Sequence, residues 1–85
     1  MSWKIEWHPN AFKNFEALQL DIKERIMKRV NKIQENPFHF LEHYEGQNYY
    51  KLRIGDYRAL VDIDFGNKII KIRVFDHRKR IYKNV

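Results

Sequence analysis

An α+β domain, with a two-helix hairpin packed on one face of a twisted antiparallel sheet in the order β-α-α-β-β-β, is predicted by three features of the chain. Apolar residues recur at helical spacing in the first half and in strict alternation in the second, and two glycine-containing turns divide that second half into strands. Eighty-five residues are enough for one domain, residues 1–85, around one modest core. Hydrophobic residues make up 44% of the chain, so there is apolar surface to bury and wholesale disorder is excluded. The absence of cysteine excludes disulfides, thiolate metal sites and thiol catalysis.

Trp3, Ile5 and Trp7 alternate with Lys4 and Glu6, which predicts a short strand with one apolar face. Pro9 suits the first position of a helix, where its missing N–H costs nothing, and Ala11, Phe15 and Leu18 place that helix over residues 9–18. Asp21 followed by Glu24 has the form of a capping box, and Ile22, Ile26, Val30 and Ile33 form the stripe of a second helix ending before Asn36-Pro37. Residues 37–47 carry Phe38, Phe40 and Leu41 without periodicity and read as a packed loop.

Three strands follow, divided by two-residue hairpin loops at Gly55-Asp56 and Gly66-Asn67. Such loops pair Ile54 with Tyr57, Leu52 with Ala59 and Tyr50 with Val61, and then Ile63 with Ile70, Val61 with Ile72 and Ala59 with Val74. Every pair is apolar on one face, and a slip of one residue would destroy that agreement. The helices are expected on this face.

The opposite face carries the charge. Residues 1–46 hold seven basic and seven acidic side chains, whereas residues 47–85 hold ten basic and four acidic, the whole of the net +6. Lys51, Arg53, Arg58, Lys71 and Arg73 lie there with Leu60, Asp62 and Phe75. In the derived register Arg53 stands across from Arg58, a like-charge pair that a purely structural surface would avoid. Asp62 across from Lys71 is compensated. Beyond the last strand, Asp76-His77-Arg78-Lys79-Arg80-Ile81-Tyr82-Lys83 adds further cations, a pattern that also suits a solvated tail.

Breaking an RNA strand requires a group to take the 2′-hydroxyl proton, a donor for the leaving 5′-oxygen and cations around the phosphorane. Lysine, arginine, histidine and tyrosine cover all three. Tyr49, Phe75 and Tyr82 are candidates to stack on an unpaired base, with Lys71, Arg73, Lys79, Arg80 and Lys83 as further RNA contacts. His8, His39 and His43 lack the spacing of a metal site, and no phosphate-binding glycine loop or serine-hydrolase elbow is present. No metal, cofactor or membrane span is expected, and the chain reads as cytoplasmic.

The segment Tyr50-Lys51-Leu52-Arg53-Ile54-Gly55-Asp56-Tyr57-Arg58, with His77-Arg78 and Ile81-Tyr82 further on, resembles the signature of RelE/ParE superfamily toxins over almost the whole chain. The resemblance, most like RelE-type mRNA interferases, implies the toxin of a type II toxin–antitoxin pair. It implies a metal-independent endoribonuclease that cleaves mRNA in the ribosomal A site. Lys51 and Arg53 match basic residues that contact and activate the RNA, Arg58 and Arg78 match arginines that stabilise charge, and Tyr82 matches the base-stacking C-terminal tyrosine. His77 matches a histidine that assists proton transfer in some branches. Val61 stands where a tyrosine is often found. A RelB-like antitoxin, an acidic amphipathic segment wrapping the toxin, is the implied partner, together with the ribosome and mRNA. Two alternatives stay open: a ParE-like poison of DNA gyrase, and a non-catalytic RNA-binding or inactive toxin.

Overall fold

A computed structural model of the chain describes residues 3–43, 46 and 49–81. The elements are β1 (Lys4–Trp7), α1 (Pro9–Glu16), α2 (Leu20–Glu35), a 3-10 turn (Pro37–His39), β2 (Leu41–His43), β3 (Tyr50–Ile54), β4 (Tyr57–Asp64), β5 (Ile69–His77) and a single helical turn, α3 (Arg78–Ile81). One five-stranded sheet runs in the order β1-β5-β4-β3-β2. Ala11 and Phe15 of α1 and Ile26, Val30 and Ile33 of α2 share a core with Leu52, Ile54, Ala59, Val61, Ile70, Ile72 and Phe75 of the sheet. The α+β class and the helical hairpin on the apolar face are as the patterning predicts.

Several details differ. The sheet is mixed rather than antiparallel, because β1 runs parallel to β5 in the register Ile5↔Ile70 and Trp7↔Ile72. Backbone bonds from Lys4 N–H to the Lys68 carbonyl (2.9 Å) and from His8 N–H to the Ile72 carbonyl (2.8 Å) continue that ladder at both ends. The segment read as a packed loop contains β2, which pairs Leu41 with Leu52 and Glu42 with Lys51. Its three residues are too few to show alternation.

Helix α1 ends at Glu16, two residues short of expectation, and His8 caps its start by accepting the Asn10 N–H on Nδ1 at 3.2 Å. The capping box at Asp21 does not form. Helix α2 begins two residues earlier than that box implies, at Leu20, with Gln19 as an N-cap whose side chain makes no cap bond. Asp21 therefore falls inside the first turn, where a carboxylate suits the helix dipole, and it pairs loosely with Arg25 at 4.0 Å.

The β3–β4 register is the one derived from the hairpin turn, from Ile54↔Tyr57 to Tyr50↔Val61. Gly55 supplies the positive φ, 63°, that the first loop position of a type II′ turn requires. The β4–β5 hairpin closes through four residues, 65–68, rather than two. Lys68 takes the left-handed conformation (φ 55°), and Asp64 accepts bonds from the Asn67 N–H (3.1 Å) and Nδ2 (2.9 Å). Those bonds hold the Asp64 carboxyl below the usual carboxylate range. Ile63↔Ile70 and Val61↔Ile72 pair as expected, but a bulge follows. Arg73 is the extra residue on β5, so Leu60 meets Val74 and Ala59 meets Phe75, and the expected Ala59–Val74 pair is absent. Phe75 thereby turns inward, 1% exposed, stacking on Tyr57 (centroids 5.4 Å apart) and edge-on to Trp7. Asn14 of α1 ties the helix to this strand by donating to the Phe75 carbonyl at 2.8 Å.

Candidate functional site

Strands β3 and β4 set one cationic row on the face away from the helices. Arg53 lies across from Arg58, and Arg58 lies across from Asp76 of β5. Lys51, one step along the same face, sits between Glu42 of β2 and Leu60 of β4. The like-charge Arg53–Arg58 pair is present, with two devices that make it tolerable. Glu42 stands near both Lys51 Nζ (3.7 Å) and Arg53 Nε (3.9 Å), and Arg58 Nη1 donates to the Gly55 and Tyr57 carbonyls, both at 2.8 Å. Glu42 and Arg53 are exposed and Lys51 half-buried, and ion pairs this long contribute little to stability, so an anion can displace Glu42 at small cost. Glu42 was illegible as a counter-ion because β2 itself was.

Helical turn α3 closes the row. The Arg78 N–H donates to the Asp56 carbonyl at 2.9 Å, which fixes the head of α3 to the β3–β4 turn. Arg78, Lys79 and Arg80 are exposed, while Ile81 is fully buried. Leu60 and Ile81 are both buried outside the main core, and α3 packs on β4 and β5. The helical turn that carries Arg78, Lys79 and Arg80 is thus packed on the sheet. Asp76, overlooked in the sequence, accepts bonds on Oδ1 from the His77 N–H (2.7 Å) and from Arg80 Nε (3.1 Å).

The other candidates lie elsewhere. His77 pairs with Tyr57 across β4–β5 and meets its ring edge-on at 5.4 Å. It therefore faces the helices, in a groove lined also by Ile22, Arg25, Ile26 and Arg29 of α2, and not the row of Arg53 and Arg58. Lys71 is flanked by Glu6 of β1 and Asp62 of β4, and Arg73 bonds Asp62 Oδ2 at 2.7 Å. Both belong to a second patch four residues further along β4. Tyr49 is half-buried and engaged with neighbouring groups. Tyr82 and Lys83 lie outside the described residues. Among the described residues no three His, Asp or Glu side chains gather as a metal site, and no helix is long and apolar enough to cross a membrane.

An αα hairpin on one side of this sheet and a cationic row on the other define a small toxin fold shared with RelE and ParE proteins. Archaeal RelE, from the RelE–RelB complex of Pyrococcus horikoshii, matches with a TM-score of 0.76 and 24% identity over 94% of this chain and 99% of that one. The RelBE2 toxin–antitoxin complex of Mycobacterium tuberculosis gives 0.78 and 20% over 92% and 100%. The chromosomal ParDE system of Pseudomonas aeruginosa gives 0.68 and 15% over 89% and 96%. At these identities the likeness is one of fold. No curated protein sequence matches the chain. The family model described as ParE toxin of type II toxin-antitoxin system, parDE, matches residues 5–82, and the chain belongs to that family. It is a type II toxin of the RelE/ParE superfamily.

Proposed function

We propose that this toxin is a ribosome-dependent endoribonuclease that cuts mRNA in the A site without a metal ion. The observation that carries the reading is the Arg53–Arg58 row with Lys51 on the same face and Arg78 anchored at the adjoining turn. Four cations around one small patch of sheet match the charge of a phosphorane. In this mechanism the 2′-hydroxyl attacks the adjacent phosphorus, its proton passes to a base, and the 5′-oxygen leaves with a proton from an acid. The products are a 2′,3′-cyclic phosphate and a 5′-hydroxyl. Arg58 and Arg78 stabilise the dianionic phosphorane and Arg53 holds the RNA. Lys51 is the better base than any arginine, which stays protonated. Tyr82 stacks on the substrate base, and Lys71, Arg73, Lys79, Arg80, Lys83 and Tyr49 guide the strand. His77, which opens into the groove beside α2, acts in proton transfer only by swinging around the end of β5. A RelB-like antitoxin of acidic, amphipathic character neutralises the toxin, and the site of action is the cytoplasm.

The family model that matches residues 5–82 is named for ParE, and this favours gyrase poisoning as the second reading. Ribosomes programmed with a defined mRNA, with and without EDTA, separate the two when run beside a gyrase supercoiling assay. EDTA-resistant cuts at the A-site codon with gyrase unaffected support the nuclease. Gyrase inhibition with intact mRNA refutes it.

A further inference from the structure

Asp76 is the carboxylate set across from Arg58 in the cationic row, and its contacts give it more to do than balance charge. Its side chain is 16% exposed. Through a single oxygen it accepts both the N–H of His77, where β5 ends, and the Nε–H of Arg80, the third residue of α3. On the strand it stands directly across from Arg58. The Arg78 N–H is bonded to the Asp56 carbonyl, the Lys79 N–H to His77 Nδ1, and Ile81 is buried; two polar ties bind α3 to the cationic face. One is at the β3–β4 turn and the other is at Asp76. A free arginine side chain samples many rotamers, and fixing one costs entropy at the moment of use; Arg80 has that ordering already made.

We propose that Asp76 is a positioning residue, which latches α3 to the sheet so that Arg78 and Arg80 are presented on the same face as Arg58. The proposal rests on the nuclease reading for its effect on rate and on the geometry alone for the latch. The carboxylate acts in two opposed ways. It orders the cations, which favours the reaction, and it sets a negative charge beside the path of the phosphates, which disfavours binding. Removing its charge should therefore separate affinity from turnover, whereas a merely structural residue would weaken both together.

The variants Asp76→Asn, which keeps an oxygen acceptor for the His77 N–H, and Asp76→Ala, which does not, test this. Affinity is read by anisotropy with an uncleavable 2′-deoxy oligonucleotide, single-turnover cleavage on programmed ribosomes at saturating toxin, and the latch itself by the NMR exchange rate of the Arg80 Nε–H. Asp76→Asn should bind the oligonucleotide about threefold more tightly and cleave about tenfold more slowly, with faster Arg80 Nε–H exchange. Asp76→Ala should cleave more slowly still. Affinity and rate both within twofold of the parent, or both falling in step with a lowered unfolding midpoint, would overturn the proposal. If the parent protein itself does not cleave, the nuclease reading fails, and tighter binding with faster Arg80 exchange still upholds the latch. Unchanged binding and exchange in that case defeat it as well.

Discussion

Replacing Arg58 with alanine should abolish most cleavage while leaving the protein folded, and the structure sets both magnitudes. Arg58 Nη1 makes two bonds to turn carbonyls at 2.8 Å, one exposed and one part-buried. Together they are worth about 1 kcal/mol net. Against that loss stands the relief of the Arg53–Arg58 repulsion across the strands, a few tenths of a kcal/mol. The melting temperature should fall by roughly 4–8 °C for about 1 kcal/mol in a domain of this size, so the chain stays almost wholly native at 25 °C. Loss of one charge-stabilising donor, by contrast, costs about 100- to 1000-fold in rate. Arg58→Lys keeps the charge without the planar fork and should lie between parent and alanine variant. Single-turnover primer extension on programmed ribosomes, with a thermal melt on the same samples, reads both quantities. Cleavage by Arg58→Ala within threefold of the parent would refute the reasoning, as would a loss that merely tracks unfolding.

Leu52→Ala empties a site that is 0% exposed at the centre of the core and should cost about 2–5 kcal/mol in denaturant unfolding. Gly55→Ala meets no atom within 4 Å, so its cost is that of a side chain at φ 63°, about 1–2 kcal/mol by the same measurement. Asn14→Ala, which frees the Phe75 carbonyl, should cost about 1 kcal/mol. Asp64 has its carboxyl pKa lowered chiefly by the Asn67 side-chain bond. Its contribution is thus present above the ordinary value of about 4 and fades as pH falls through the lowered one. Asp64→Asn should flatten stability against pH in that acidic window and nowhere else, as acid titration of the unfolding midpoint will show.

The parts of the fold that local rules govern were legible. Gly55-Asp56 admits few loops, and the loop fixes the pairing from Ile54↔Tyr57 to Tyr50↔Val61, which places Arg53 opposite Arg58. The second loop holds four residues instead of two, yet Ile63↔Ile70 survives, because both closures share one symmetric register. The bulge at Arg73 left no trace. Lys71-Ile72-Arg73-Val74-Phe75 alternates without a break, so the reversal that buries Phe75 is decided by packing against Trp7 and Tyr57. Strand β2 and the parallel partner of β1 were equally hidden, since alternation marks a strand without naming its neighbour. With them went Glu42, the counter-ion of Lys51 and Arg53. His77 sits beside Arg78 in sequence, yet successive strand residues face opposite ways, and its ring lies on the Tyr57 side. Asp76 is the neighbour whose side chain joins the cations.

End-group analysis of the cleaved mRNA tests most directly whether the cationic row on β3 and β4 performs metal-independent RNA cleavage. RNA incubated with toxin and programmed ribosomes in EDTA, then sized by mass spectrometry, should carry a 2′,3′-cyclic phosphate on the upstream fragment and a 5′-hydroxyl on the downstream one. Fragments bearing a 3′-hydroxyl and a 5′-phosphate, or no fragments while gyrase is inhibited, would contradict it.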